Sequence, residues 1–118
     1  MKTCNKLCND CPFSKTSMKS FLAGYKVNDF VMFFQREVLF PCHKLLEQED
    51  LTIKQVNEKV RDGSLLLCRG YVESMKRSAK LPKDAHFAKI VKEVELSENS
   101  MSIFEFTKHH TYEKDIYE

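Results

Sequence analysis

The stretch LTIKQVNEKVRDGS, residues 51–64, decides the fold class of this 118-residue chain. Thr52 and Gln55 form a capping box, in which each side chain satisfies a backbone N–H that the first helical turn leaves unpaired. Leu51 and Val56 flank the box as a hydrophobic staple, which sets the angle at which the chain enters the helix. Ile53, Val56 and Val60 fall on one face, and Gly63 suits the left-handed position that closes a helix.

Working outward, Ser64 is expected to cap a second helix, in which Leu65, Cys68, Val72, Met75 and Ala79 recur at helical spacing and turn Cys68 toward the core. Leu81-Pro82 interrupts the chain, and Asp84 then caps a helix with Phe87, Ile90, Val91 and Val94 as its apolar stripe. Ser102 and Glu105 repeat the capping box, with Met101 and Phe106 as staple. They predict a short helix from Ile103 to His109, although Ile103, Phe104 and Phe106 would also suit a strand. Toward the N-terminus, Asn28 is expected to cap a helix running to about Phe40, with Phe30, Val31, Phe34 and Val38 on one face. Pro41 ends it and suits the first position of another helix, which would put Cys42 and His43 in a first turn ahead of Leu45 and Leu46.

Three glycines and three prolines are too few for a turn-rich β fold. The expected architecture is mainly α, a compact bundle of four to five short helices with an N-terminal cysteine-bearing arm stapled by a metal centre. Within one domain, residues 1–26 form the arm, 27–110 the helical core and 111–118 a flexible tail. The net charge of +2 selects no partner. The first residues carry no apolar run of the signal-peptide kind, and the longest apolar candidate, 30–40, is broken by Gln35, Arg36 and Glu37. No membrane association is therefore expected, and the cytoplasm, where thiols stay reduced, is the expected compartment.

In that compartment five cysteines point to metal or redox chemistry rather than to a disulfide framework. They are arranged as Cys4-x3-Cys8-x2-Cys11-Pro12, then Cys42-His43, then Cys68. A C-x2-C pair lets two thiolates converge on one ion from a tight turn. Cys42 and Cys68, each near an expected helix start, complete a four-cysteine metal site, because unpaired N–H groups there favour a thiolate. The three-cysteine spacing at the N-terminus also matches radical S-adenosylmethionine enzymes, but those need a large partial barrel that this chain cannot supply. His43 points about 100° away from Cys42 on a helix, so it suits a hydrogen bond around the site better than a place on the same ion.

The segments Cys8-x2-Cys11-Pro12-Phe13, Phe40-Pro41-Cys42-His43 and Cys68-x-Gly70-Tyr71 together resemble a family of small uncharacterised bacterial and phage proteins. Its shared signature is C-x2-C-P-aromatic, then C-H after an aromatic, then C-x-G. The similarity covers roughly the first two-thirds of the chain, and it departs at Ser14, where an arginine often follows the aromatic. The resemblance implies Cys8, Cys11, Cys42 and Cys68 as ligands, leaves Cys4 outside the set or as an alternative ligand, and implies no activity.

Zinc suits a closed site of four cysteines, but such sites usually pair two close knuckles. Here two ligands stand alone on expected helices, which favours a [4Fe-4S] cluster with zinc as the alternative. Arg69, Lys76, Arg77, Lys80 and Lys83 cluster around one helix end. They read as a solvated basic face, with contact to nucleic acid as the competing reading. No phosphate loop, no H-E-x-x-H and no serine constellation is present, so neither an enzyme nor a small-molecule substrate is indicated. The expected function is that of a non-enzymatic regulatory or interaction protein whose partner is a protein or nucleic acid. A redox or oxygen-sensing switch and a zinc-stabilised nucleic-acid-binding module are the alternatives.

Overall fold

A computed structural model describes residues 1–7, 11–17, 26–42 and 51–111. Among them are five helices and no strand longer than an isolated bridge. They are α1 Val27–Gln35, α2 Ile53–Asp62, α3 Arg69–Arg77, α4 Ala85–Glu93 and α5 Ile103–His110. The chain is mainly helical, and its radius of gyration of 13.7 Å is close to the roughly 13.5 Å expected of one compact body of this length.

Three helix starts follow the sequence rules. Thr52 Oγ1 accepts from Gln55 N–H at 3.2 Å, and Gln55 returns the bond to Thr52 N–H at 2.9 Å. Ser102 and Glu105 do the same ahead of α5, with Met101 and Phe106 both buried. The Asp84 side chain accepts from His86 and Phe87 N–H at the start of α4. Gly63 closes α2 at φ +87°.

The expected helix from 28 to 40 is corrected at both ends, starting at Val27 and stopping at Gln35. Glu37 turns left-handed at φ +58°, and Val38 N–H bonds Phe33 O while Glu37 N–H bonds Phe34 O. That pair of bonds is a Schellman closure, built here on a non-glycine residue. Ala79 does the same after α3 at φ +55°, with Lys80 N–H on Met75 O and Ala79 N–H on Lys76 O. Ile53, expected on the inner face of α2, is 81 % exposed.

The core is aromatic. Phe13 stacks on Phe106 at 4.5 Å, meets Phe30 edge-on at 5.6 Å and tilts against Tyr71 at 5.8 Å. Phe30, Phe40 and Phe87 extend the cluster, and Tyr71 Oη donates to Phe33 O at 2.9 Å, tying α3 to the end of α1. Phe13 belongs to the polar-looking arm. Protein contacts, rather than the expected metal staple alone, dock the described part of that arm. Pro12 and Phe13 are fully buried, and Met101 N–H donates to Phe13 O. His110 Nε2–H donates to Pro12 O at 2.6 Å, and His109 Nε2–H donates to Ser17 O at 2.9 Å.

The loop after α4 is held by a buried carboxylate. Glu73 is fully buried in α3, accepts from Arg69 Nε at 2.8 Å, and also takes the N–H and hydroxyl of Ser97. No described helix is long and apolar enough to cross a membrane.

Candidate metal centre

The helix expected from Ser64 begins only at Arg69, and the reason lies in backbone pairing. Residues 66–68 are extended and lie between two other segments. Leu67 pairs in parallel with Thr3 and antiparallel with Pro41. Leu67 N–H donates to Lys2 O at 2.8 Å and Cys4 N–H to Leu67 O at 3.1 Å. On the other side Cys42 N–H donates to Leu66 O at 3.0 Å and Cys68 N–H to Phe40 O at 2.9 Å. These cross-chain bonds occupy the groups that a helix over 64–68 would have needed.

The pairing also explains how distant cysteines meet. Cys4, Cys42 and Cys68 each follow a bridged residue, and side chains alternate across extended backbone, so all three emerge on the same side. Cys42 is therefore extended rather than in the first turn of a helix, and Cys68 is the N-cap of α3 rather than one turn inside it. Cys11 reaches the same point from the docked arm. Its Sγ lies 3.5 Å from Cys68 Sγ, and both residues are almost fully buried.

Cys4, Cys11, Cys42 and Cys68 line one small cavity with Lys6, Arg69 and Gly70. Its volume of about 10 Å³ is near the room one water-sized sphere needs. The Cys68 thiol is pushed well above its ordinary range, first by its hydrogen bond with Cys11, then by burial, then by the charge of Cys11. Side by side and buried, the two sulfurs resist ionising together unless positive charge arrives. Arg69 is anchored across this wall, donating to Glu73 through Nε, to Cys4 O at 3.4 Å and to Glu95 O at 2.7 Å. The N-terminus of α3 adds partial positive charge beside Cys68.

Of the expected ligands, the structure thus brings Cys11, Cys42 and Cys68 to one cavity and adds Cys4. Cys8 and His43 lie outside the described residues. Among the described residues alone, no three His, Cys, Asp or Glu side chains are arranged to hold a metal ion. Cys11 Sγ and Cys68 Sγ form the close pair, with Cys4 and Cys42 on the same cavity wall.

The basic residues do a different job. Lys76 Nζ donates to Lys92 O at 3.0 Å and Val94 O at 2.6 Å, which caps the end of α4. Arg77 donates to Ser100 Oγ at 2.7 Å and Ser97 O at 2.6 Å. Lys80 pairs with Glu37 at 3.4 Å and lies over the Phe34 ring, and Lys83 is exposed with its backbone N–H on Glu37 Oε1. Arg69, Lys76 and Arg77 thus hold the stretch from the end of α4 to Ser100, and Lys80 ties the end of α3 to the end of α1.

Sequence reasoning missed two contributors, Gly70 and Phe13. The first had a signal in Cys68-x-Gly70, since a glycine near a helix start marks a close backbone approach. A β-carbon there would meet Cys11 Sγ at 2.7 Å and Phe13 Cβ at 2.8 Å. An apolar groove of about 390 Å³ also runs between the end of α1 and the start of α2, lined by Met32, Phe33, Val38, Leu39 and Leu51 among others. Among the described residues, Arg36 and Asn57 are its only polar side chains. Compared with protein-family models, with curated proteins and with solved structures, the chain matches none of them.

Proposed function

We propose that this chain is a small non-enzymatic metal-thiolate protein, with Cys8, Cys11, Cys42 and Cys68 as ligands and Cys4 as a neighbouring alternative. Its role on this reading is regulation or interaction with another protein. The carrying observation is the convergence of Cys11, Cys42 and Cys68 on one cavity from segments far apart in sequence. Cys8 is three residues from Cys11 in the sequence, the C-x2-C spacing that suits two thiolates on one ion.

The donor set is soft sulfur, which suits zinc or an iron–sulfur cluster. Sulfur separation moves the preference from the cluster to a single ion. Two thiolates on one tetrahedral zinc, at Zn–S of about 2.3 Å, stand roughly 3.8 Å apart. The Cys11–Cys68 separation of 3.5 Å is close to that. Ligands of a four-iron cluster bind different irons and must stand further apart. A bound ion would supply the positive charge that lets both sulfurs ionise, and it would link the 2–4, 40–42 and 66–68 segments to the segment that carries Cys11. A protein partner is favoured over nucleic acid because Arg69, Lys76, Arg77 and Lys80 are engaged internally.

Metal analysis with an absorption spectrum on anaerobically purified chain tests this reading. About one zinc per chain and no colour is the expected result. A brown protein absorbing near ~400 nm would restore the cluster, and a chain with neither metal would end the metal reading.

A further inference from the structure

We propose that Cys11 and Cys68 are a redox-active dithiol, which a peroxide converts to a disulfide that withdraws two donors from the metal site while keeping the arm tied to α3. The release of metal rests on the function proposed above; the dithiol itself does not.

Geometry carries the assignment. The two sulfurs are already in contact at 3.5 Å and hydrogen-bonded. Reaching the S–S bond length of about 2.05 Å needs roughly 1.5 Å of relative movement, within the reach of small side-chain rotations. The partners approach from fixed elements. Cys68 caps α3 with its backbone paired to Phe40, and Cys11 is held by the buried Pro12-Phe13 anchor that follows it. Gly70 lets Cys11 Sγ pack directly against α3, where a β-carbon would stand only 2.7 Å from the sulfur. Oxidant enters past Cys4, which is only half-buried, and Lys6, which is exposed, both on the wall of this cavity.

The chemistry balances in two steps. One thiolate attacks an oxygen of hydrogen peroxide, forming an S–O bond as the O–O bond breaks, and the departing hydroxide leaves as water after protonation. The second thiolate then attacks the sulfenic sulfur, forming the S–S bond as the S–O bond breaks and a second water leaves. Two thiols lose two electrons and two protons, and one peroxide becomes two waters. A disulfide sulfur is a poor zinc ligand because the thiolate is the species that binds metal. Oxidation therefore exchanges a metal cross-link that would include Cys42 for a direct Cys11–Cys68 bond that does not.

The test uses the full chain, as purified under reducing conditions and again after chelation. Each sample receives limiting hydrogen peroxide, then alkylation of remaining thiols, digestion and mass mapping. The expected first product is lighter by two hydrogens and links the peptides carrying Cys11 and Cys68. Cys4→Ser should still form it, and Cys11→Ser should not. In the zinc-loaded chain, one zinc should appear in a chromogenic chelator for each disulfide formed. A first linkage between other cysteines, or oxidation to sulfinic acids with no linkage, would overturn the proposal while leaving zinc binding intact. A chain that forms the disulfide but never held metal would sustain the dithiol and sink the metal reading. Wild-type mapping alone decides between these, so a variant that fails to fold does not blur the result.

Discussion

Gly70 and Cys11 approach so closely that the glycine has no room for a side chain: a β-carbon built on it falls 2.7 Å from Cys11 Sγ. In an open helix position, alanine would improve on glycine by about 1 kcal/mol. Here the added methyl must displace Cys11 and Phe13, and overpacking of that kind costs roughly 1–3 kcal/mol. Gly70→Ala is therefore expected to lower the urea midpoint. A midpoint that rises would mean that the arm does not lie against α3.

Phe13 anchors the arm by aromatic contact, independently of any metal. Phe13→Ala should cost about 3–5 kcal/mol, as truncation of a buried phenylalanine usually does. The loss should persist when unfolding is measured in excess chelator. If chelation erased the difference between variant and wild type, the metal rather than the ring would be holding the arm.

Ala79 is exposed and sits at φ +55°, a conformation that costs a residue with a β-carbon about 1–2 kcal/mol. Glycine accepts it freely but gains entropy in the unfolded chain. Ala79→Gly is expected to stabilise by up to about 1 kcal/mol, because no packing is lost. Thermal unfolding would show a raised midpoint, and a lowered one would contradict the left-handed closure of α3.

His110 makes stability depend on pH in a definite direction. Burial, opposed by its bond to Pro12 and aided by neighbouring His109, holds the imidazole below its ordinary value of 6.5. As pH falls below that value, the unfolded chain takes up the proton before the folded chain does. Its contribution is therefore complete above pH 6.5 and is lost as pH falls through the lower folded value. His110→Gln removes the titration, so its stability curve in chelator should be flatter than wild type over that acid window. Parallel curves would show that His110 is not the group responsible.

Much of the helical content was legible because helix starts are local events. Thr52 with Gln55, Asp84, and Ser102 with Glu105 act within three residues of each other, so spacing alone announces them. The ends of α1 and α3 were not legible. Glu37 and Ala79 adopt a left-handed closure that sequence rules reserve for glycine, and nothing in either residue type marks it. Cys68 was assigned to a helix interior because Leu65, Val72 and Met75 keep helical spacing on both sides of it. Its neighbours are instead extended, since their backbone groups pair with residues 2–4 and 40–42.

By itself the sequence determined the helical class and three of the helix starts, which depend on residue type and short spacing. Only the tertiary structure decided that Cys4 stands beside Cys11, Cys42 and Cys68, that Phe13 is core, and that Lys76 and Arg77 reach across to carbonyls of residues 92–97. Those outcomes depend on pairings between segments dozens of residues apart. Their free energy comes from shared burial and cross-chain hydrogen bonds, and no local pattern records which distant partner a segment will find.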